Sequence, residues 1–227
     1  VRHDVAMAEN FTRLLVIRHG ETAWNLETRI QGQIDIPLND HGRWQADRLA
    51  RALRLEGVDV LYASDLSRAT ETAEAVSRHL DLPLTLDMGL RERHFGRLEG
   101  LTHDEIAQHW PDDARRWRGR DPAYGPEGGE TLTQFYQRCV GTLERLAARH
   151  PGQTVAVVAH GGVLDCFYRA ANRIDLTEPR AWKITNASIN RLLYTPQGFS
   201  LLAWADCRHL EGDDDLDEAT DGALAPA

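Results

Sequence analysis

The chain has 227 residues, 42% hydrophobic and 27% charged, which is enough for a full α/β core, and no apolar run nears the roughly 20 residues of a membrane span. Its net charge of −9 is local: seven of the 35 acidic side chains fall between Glu211 and Asp221, and without them 28 acids face 26 bases. A body so close to neutral argues against nucleic acid as the main partner, and an anionic small molecule would need a local cluster of arginines.

Residues 1–13 are polar and mixed in charge, lack the apolar stretch of a secretory signal, and are expected to be a flexible extension. Leu14-Leu15-Val16-Ile17 predicts a short buried strand that stops at Arg18-His19-Gly20. Gly20 is expected to let the backbone turn sharply and a ligand come close. Residues 27–37 predict a loop. Asn39-Asp40 offers a cap to a helix with Trp44, Leu49, Ala50 and Leu53 on its apolar face, closed by Gly57. A strand over 58–63 follows, then a helix over 66–80 capped by Ser64-Asp65, then a strand over 82–86. This alternation predicts parallel strands with covering helices.

Gly89 to Gly100 predicts a loop, and Thr102 with Glu105 forms a capping-box pattern that opens a short helix to about Trp110. Pro111 to Gly129, rich in Pro, Gly and Arg, predicts irregular chain. A long helix is expected from Thr131 to His150, with Leu132, Phe135, Cys139, Leu143 and Leu146 as its buried stripe. The nearly all-apolar run 154–159 predicts a central strand that ends in His160-Gly161-Gly162. A helix over 163–171 and a hairpin over 188–205 complete one domain, residues 14–210. Residues 211–227 read as an acidic, disordered tail. Cys139, Cys166 and Cys207 are odd in number and far apart, as expected of small apolar residues in a reducing cytoplasm.

Ligands of open α/β sheets bind at the carboxyl ends of the strands. Two histidines, His19 and His160, end two apolar strands there and are each followed by glycine. For either alone, an imidazole satisfied by backbone groups is the ordinary reading; the repeated strand–His–Gly pattern favours a shared site. An imidazole can be a nucleophile, and the Arg18 guanidinium can clamp an anion with two parallel hydrogen bonds. Arg68 stands in the first turn of a helix, against the dipole preference, so it is a second candidate cation, the alternative being a solvated surface arginine. Glu92 and Glu99 lie in the loop after the third strand. Either could supply the proton that a leaving alkoxide needs, or pair with Arg91, Arg93 or Arg97 at the surface. No cluster of acids, or of Cys and His, has metal-ligand spacing, so neither metal nor cofactor is expected.

Arg18-His19-Gly20-Glu21-Thr22-Ala23-Trp24-Asn25, Ser64 to Ala73 with Arg68, Leu90 to Gly100, and Ala159-His160-Gly161 resemble, in order, four motifs of the histidine phosphatase superfamily, also called phosphoglycerate-mutase-like. The resemblance runs from about Leu14 to Ala205. It implies a mostly parallel mixed sheet with helices on both faces, a three-layer sandwich. It also implies that His19 is a nucleophile that becomes a phosphohistidine, that Arg18, Arg68 and His160 bind the phosphoryl oxygens with Asn25 beside them, and that Glu92 is the proton donor. Gln31, Gly32 and Gly161 would line the substrate site, and Glu99 would be structural. The family holds phosphatases and mutases. The short interval 111–129 and Gln31-Gly32-Gln33 favour a phosphomonoesterase acting on a small phosphorylated metabolite. Arg115 and Arg116, near where mutases hold a bisphosphate, keep a cofactor-dependent mutase in view, and with Arg118 and Arg120 they could select a second anionic group such as a carboxylate. A non-catalytic binding module should have lost one of His19, Arg68, Glu92 or His160, and none is missing. No nucleic-acid or membrane partner is expected, and homo-oligomerisation is left open.

Overall fold

The computed structural model describes residues 11–211. The first strand, β1 (Thr12–Arg18), is followed by a short helix α1 (Ala23–Leu26), α2 (Asp40–Leu53), β2 (Val60–Ala63), α3 (Ser67–Leu80) and β3 (Leu84–Leu86). Two helices in tandem, α4 (His103–His109) and α5 (Pro111–Arg118), precede α6 (Leu132–Ala147), β4 (Thr154–Ala159), α7 (Gly161–Asn172) and the hairpin β5 (Ile189–Thr195) and β6 (Gly198–Asp206). Six strands form one sheet in the order β3-β2-β4-β1-β5-β6. The first four strands run parallel, and β5 and β6 are antiparallel to their neighbours.

The expected layering is present. On one face Leu14, Val16, Val155 and Val157 pack against Phe135, Cys139 and Leu143 of α6 and Val163 and Phe167 of α7. On the other, Leu15, Ile17, Leu61, Ala156 and Val158 pack against Leu49 and Leu53 of α2 and Ala69, Ala73 and Val76 of α3. All six residues of β4 are buried, as its unbroken apolar run requires of a strand covered on both sides. Each fully buried leucine or valine contributes about 1.5–3 kcal/mol relative to exposure. Among the described residues no helix is long and apolar enough to cross a membrane.

Several local expectations are corrected. β1 begins at Thr12, whose hydroxyl bonds the carbonyls of Ala147 and His150, so the fold starts inside the span read as an extension. α2 ends at Leu53, and Gly57 instead makes a left-handed turn (φ 64°) ahead of β2; Trp44 is exposed and off the packed face. Ser64 and Asp65 do not cap α3, whose cap position is Leu66 with no side-chain bond. Asp65 holds Arg91 in a two-bond fork at 2.7 and 2.6 Å. Pro111 to Arg118, expected to be irregular, is helix. Pro111 sits at its start, Asp112 and Asp113 lie in the first turn and Arg115, Arg116 and Arg118 in the last, the charge order that a helix dipole favours. Residues 1–10 of the span expected to be an extension, and the acidic segment from 212 on, lie outside the described residues.

Candidate active site

The sheet register decides which side chains meet. Arg18 of β1 pairs with Ala159 of β4, and Ala63 of β2 with Val158. His19, His160 and Ser64 therefore leave three neighbouring parallel strands at one level. The two imidazoles lie with ring centroids 5.2 Å apart, both buried. Gly20 has a different role from the one expected. A Cβ there would stand 2.5 Å from the Gly42 carbonyl oxygen, so the missing side chain admits α2, not a ligand.

His19 Nδ1 donates to the Gly20 carbonyl at 2.6 Å, which leaves Nε2 with a free lone pair. Burial, then the Arg68 and Arg18 cations, holds this imidazole well below its ordinary pKa, so it is neutral near pH 7. His160 is depressed for the same causes, burial first. Its Nε2 lies 2.8 Å from Ser64 Oγ, while Nδ1 is buried without a partner.

Arg68 is 1% exposed, so it is not a solvated surface arginine. Its terminal nitrogens donate to the carbonyls of Ile34 at 3.0 Å and Gly32 at 2.7 Å, and its Nε is buried and unpartnered. Arg18 donates to the Ile184 carbonyl at 2.6 Å and also leaves a buried Nε without a partner. Burial lowers both guanidinium pKa values to about 10, which leaves them charged.

Glu92 is fixed by backbone. Its two carboxylate oxygens accept from the Arg93 N–H at 2.8 Å and the Gly162 N–H at 2.9 Å, at the start of α7. A Cβ on Gly162 would run into Glu92 Oε1, so a larger residue there would push the carboxyl aside. Neither Glu92 nor Glu99 pairs with the arginines of their loop. Arg91 holds Asp65, Arg97 holds Asp113 and Glu127, and Arg93 donates to the carbonyls of Tyr124 and Glu130. Glu99 accepts from the N–H groups of Gln33 and Phe95 and so braces two loops.

Arg18, His19, Asn25, Gln31, Gly32, Arg68, Glu92 and Gly161 line one cavity of about 270 Å³. Asn25 Oδ1 accepts from Thr22 and Asn186, leaving its NH₂ without an acceptor among the described residues; Gln31 Oε1 accepts from Thr22. Arg115 and Arg116 do not line this cavity. Arg115 pairs with Asp112 at the surface and lines neither this cavity nor the next; Arg116 pairs with Asp121 and lines only the neighbouring one. The sequence reading missed Ser64 and Gly162 as partners of His160 and Glu92. It also missed Trp117, which α5 places at the wall between the two cavities.

The sequence profile of the histidine phosphatase superfamily (branch 1) matches residues 14–207. The chain is 37% identical over 206 residues to phosphoglycerate mutase-like protein 4 of Arabidopsis thaliana, covering 89% of this chain and 88% of that protein. It is 35% identical over 226 residues to a metal-independent phosphoserine phosphatase of the same plant, covering 98% and 93%. Among solved structures it is similar to Bacillus stearothermophilus YhfR, with 35% identity, a TM-score of 0.82, and 88% of this chain and 100% of that one covered.

Proposed function

The chain belongs to the histidine phosphatase superfamily, and on that premise we propose that it is a metal-independent phosphomonoesterase working through a phosphohistidine on His19. One observation carries the reading. Among the described residues six buried side-chain polar atoms lack a partner, and three of them, on Arg18, Arg68 and His160, belong to groups gathered around His19. Buried polar groups are otherwise almost always bonded, so these are donors held for a ligand rich in acceptor oxygens. The domain is taken to run from β1, which begins at Thr12, to residue 210, and the three cysteines, free thiols all, suit a reducing cytoplasm.

In this reading His19 Nε2 attacks phosphorus in line with the ester oxygen. The P–O bond breaks as the P–N bond forms, and Glu92 gives its proton to the departing alkoxide. Negative charge on the three phosphoryl oxygens faces Arg18, Arg68 and His160 Nδ1–H, fixed before the reaction begins. Glu92, now a carboxylate, takes a proton from water. The hydroxide displaces His19 and inorganic phosphate leaves. His160 donates through Nδ1 only if the Ser64 hydroxyl donates to its Nε2, so the serine selects the tautomer.

The enzyme should release phosphate from p-nitrophenyl phosphate in the presence of a chelator. Brief mixing with a ³²P-labelled ester should leave protein-bound label that is stable to alkali and lost in acid. Turnover retained by His19→Ala, or label with the opposite stability, would overturn the reading. The mutase alternative loses support from the surface pairing of Arg115. It predicts isomerisation of 3-phosphoglycerate that depends on 2,3-bisphosphoglycerate and outruns phosphate release.

A further inference from the structure

A second cavity, of about 210 Å³, opens on the other side of Glu92. Glu92, Phe95 and Trp117 line both cavities, so the proton donor stands at the boundary between them. With the phosphoryl group held by His19 and the cations on one side, an alcohol protonated by Glu92 would leave from that boundary.

This second space is built for a polar guest. Asp165 is 6% exposed, and its Oδ2 is saturated by Arg120 at 3.0 Å and Arg169 at 2.9 Å, while Oδ1 has no partner. Asp165 stands three residues after Gly162 on α7, hence one helical turn from the N–H that fixes Glu92. Arg93, 4% exposed, has no carboxylate within ion-pair distance among the described residues, and its Nη1 donates to none of them. Arg180, exposed at the rim, makes no hydrogen bond or ion pair with them. Tyr124 Oη is buried beside the Asp113 carboxylate, and burial first, then that carboxylate, pushes the phenol up to about 12, so it keeps its proton. Of the unpartnered buried atoms, those on Arg18, Arg68 and Asp165 thus belong to residues that line the two cavities, and that on His160 lies beside His19.

We propose that this cavity binds the alcohol half of the substrate and selects hydroxy acids, whose carboxylate meets Arg93 and Arg180 and whose neutral hydroxyl donates to Asp165 Oδ1. The proposal rests on the phosphatase reading of the neighbouring site. A hydroxyl suits Asp165 better than an ammonium does, because two guanidinium groups already neutralise this carboxylate and three more line the space, Arg93, Arg180 and Arg116, the last paired with Asp121. Adding an ammonium would set a further cation against them.

Four esters test this on the intact enzyme, with kcat/KM measured for each by phosphate release. 3-Phosphoglycerate carries carboxylate and hydroxyl, 3-phosphonooxypropanoate only the carboxylate, glycerol 3-phosphate only hydroxyls, and O-phosphoserine a carboxylate and an ammonium. 3-Phosphoglycerate should exceed the des-hydroxy ester by about 10- to 100-fold, since the des-hydroxy ester leaves Asp165 Oδ1 buried and unmet. It should also exceed O-phosphoserine. Equal values for the first pair, or preference for phosphoserine, would overturn the assignment. Arg180→Gln, at an exposed position, should narrow the gap between 3-phosphoglycerate and glycerol 3-phosphate by raising KM for the former; a gap left intact overturns the carboxylate half. If p-nitrophenyl phosphate is hydrolysed and these preferences are absent, the cavity assignment alone has failed. If no ester is hydrolysed, the phosphatase reading has failed with it.

Discussion

Replacing Gly162 by alanine separates the proton-transfer function of Glu92 from everything else the site does. A Cβ on Gly162 would collide with Glu92 Oε1 and stand 3.1 Å from its Cδ, where ordinary contacts begin at 3.4 Å. The 2.9 Å bond from the Gly162 N–H would be strained at the same time. Relieving the collision moves the carboxyl by roughly 1 Å, a misplacement that costs about 10²-fold when it falls on a reacting group. Loss of general acid catalysis costs about 10²- to 10⁴-fold, so the two magnitudes agree at the lower end. The expected result is a fall of about 10²-fold in kcat for 3-phosphoglycerate or another alkyl ester. With p-nitrophenyl phosphate the fall should be only a few-fold, because aryloxide departs without a proton. Glu92→Gln should show the same split, more steeply. The fold gives no excuse for a loss, since alanine in a helix is up to about 1 kcal/mol better than glycine. Equal losses on both esters, with an unchanged melting temperature, would refute Glu92 as the acid held by Gly162.

Ser64→Ala removes the hydroxyl facing His160 Nε2 and should lower kcat by about 10-fold with little change in KM. Ser64→Thr should restore it, and nitrogen NMR should show the Nδ1–H tautomer of His160 in wild type and a mixture in the alanine variant. Arg68→Lys loses the planar fork and should lower p-nitrophenyl phosphate turnover about 10²- to 10³-fold, measured at saturating ester. Stability should fall on acidification below pH 6.5. His19 and His160 have folded pKa values well below those of the unfolded chain, so the unfolded state binds more protons there and stability drops with pH. Between pH 7 and 5.5 the pair should account for a loss on the order of 2 kcal/mol, and denaturant titration of His160→Asn should show about half that loss removed.

What could be read from the chain before any coordinates was whatever one strand or one helix decides alone. The run Leu14 to Ile17 and the run 154–159 announce buried strands, and their terminal histidines carry the site with them, because parallel neighbours in register deliver their ends to the same level. The Thr102 and Asn39 caps are local too, and both cap as expected. The failures share one cause, which is that the deciding partner is remote in sequence. Ser64 looks like a helix cap until its hydroxyl meets His160, 96 positions away. Gly162 looks like a helix-opening residue until Glu92 fills the space where a Cβ would be. Arg115 and Arg116 drew attention by charge in a Pro- and Gly-rich stretch. That stretch is helix, and helix geometry turns Arg115 toward Asp112 three residues before it.

The same remoteness explains how the site keeps an uncharged nucleophile among cations. Two guanidinium groups beside an imidazole would be unfavourable in any local peptide, and each is stabilised here by carbonyls from a distant loop: Gly32 and Ile34 for Arg68, Ile184 for Arg18. Those carbonyls hold the cations in place without supplying a counter-charge, so the positive field remains to be met by the ligand. Burial first, and then that field, keeps His19 deprotonated at Nε2, and a carboxylate partner on either arginine would have weakened the second effect. Neutral backbone acceptors in place of acidic side chains are therefore what lets one buried cluster be anion-seeking and nucleophilic together.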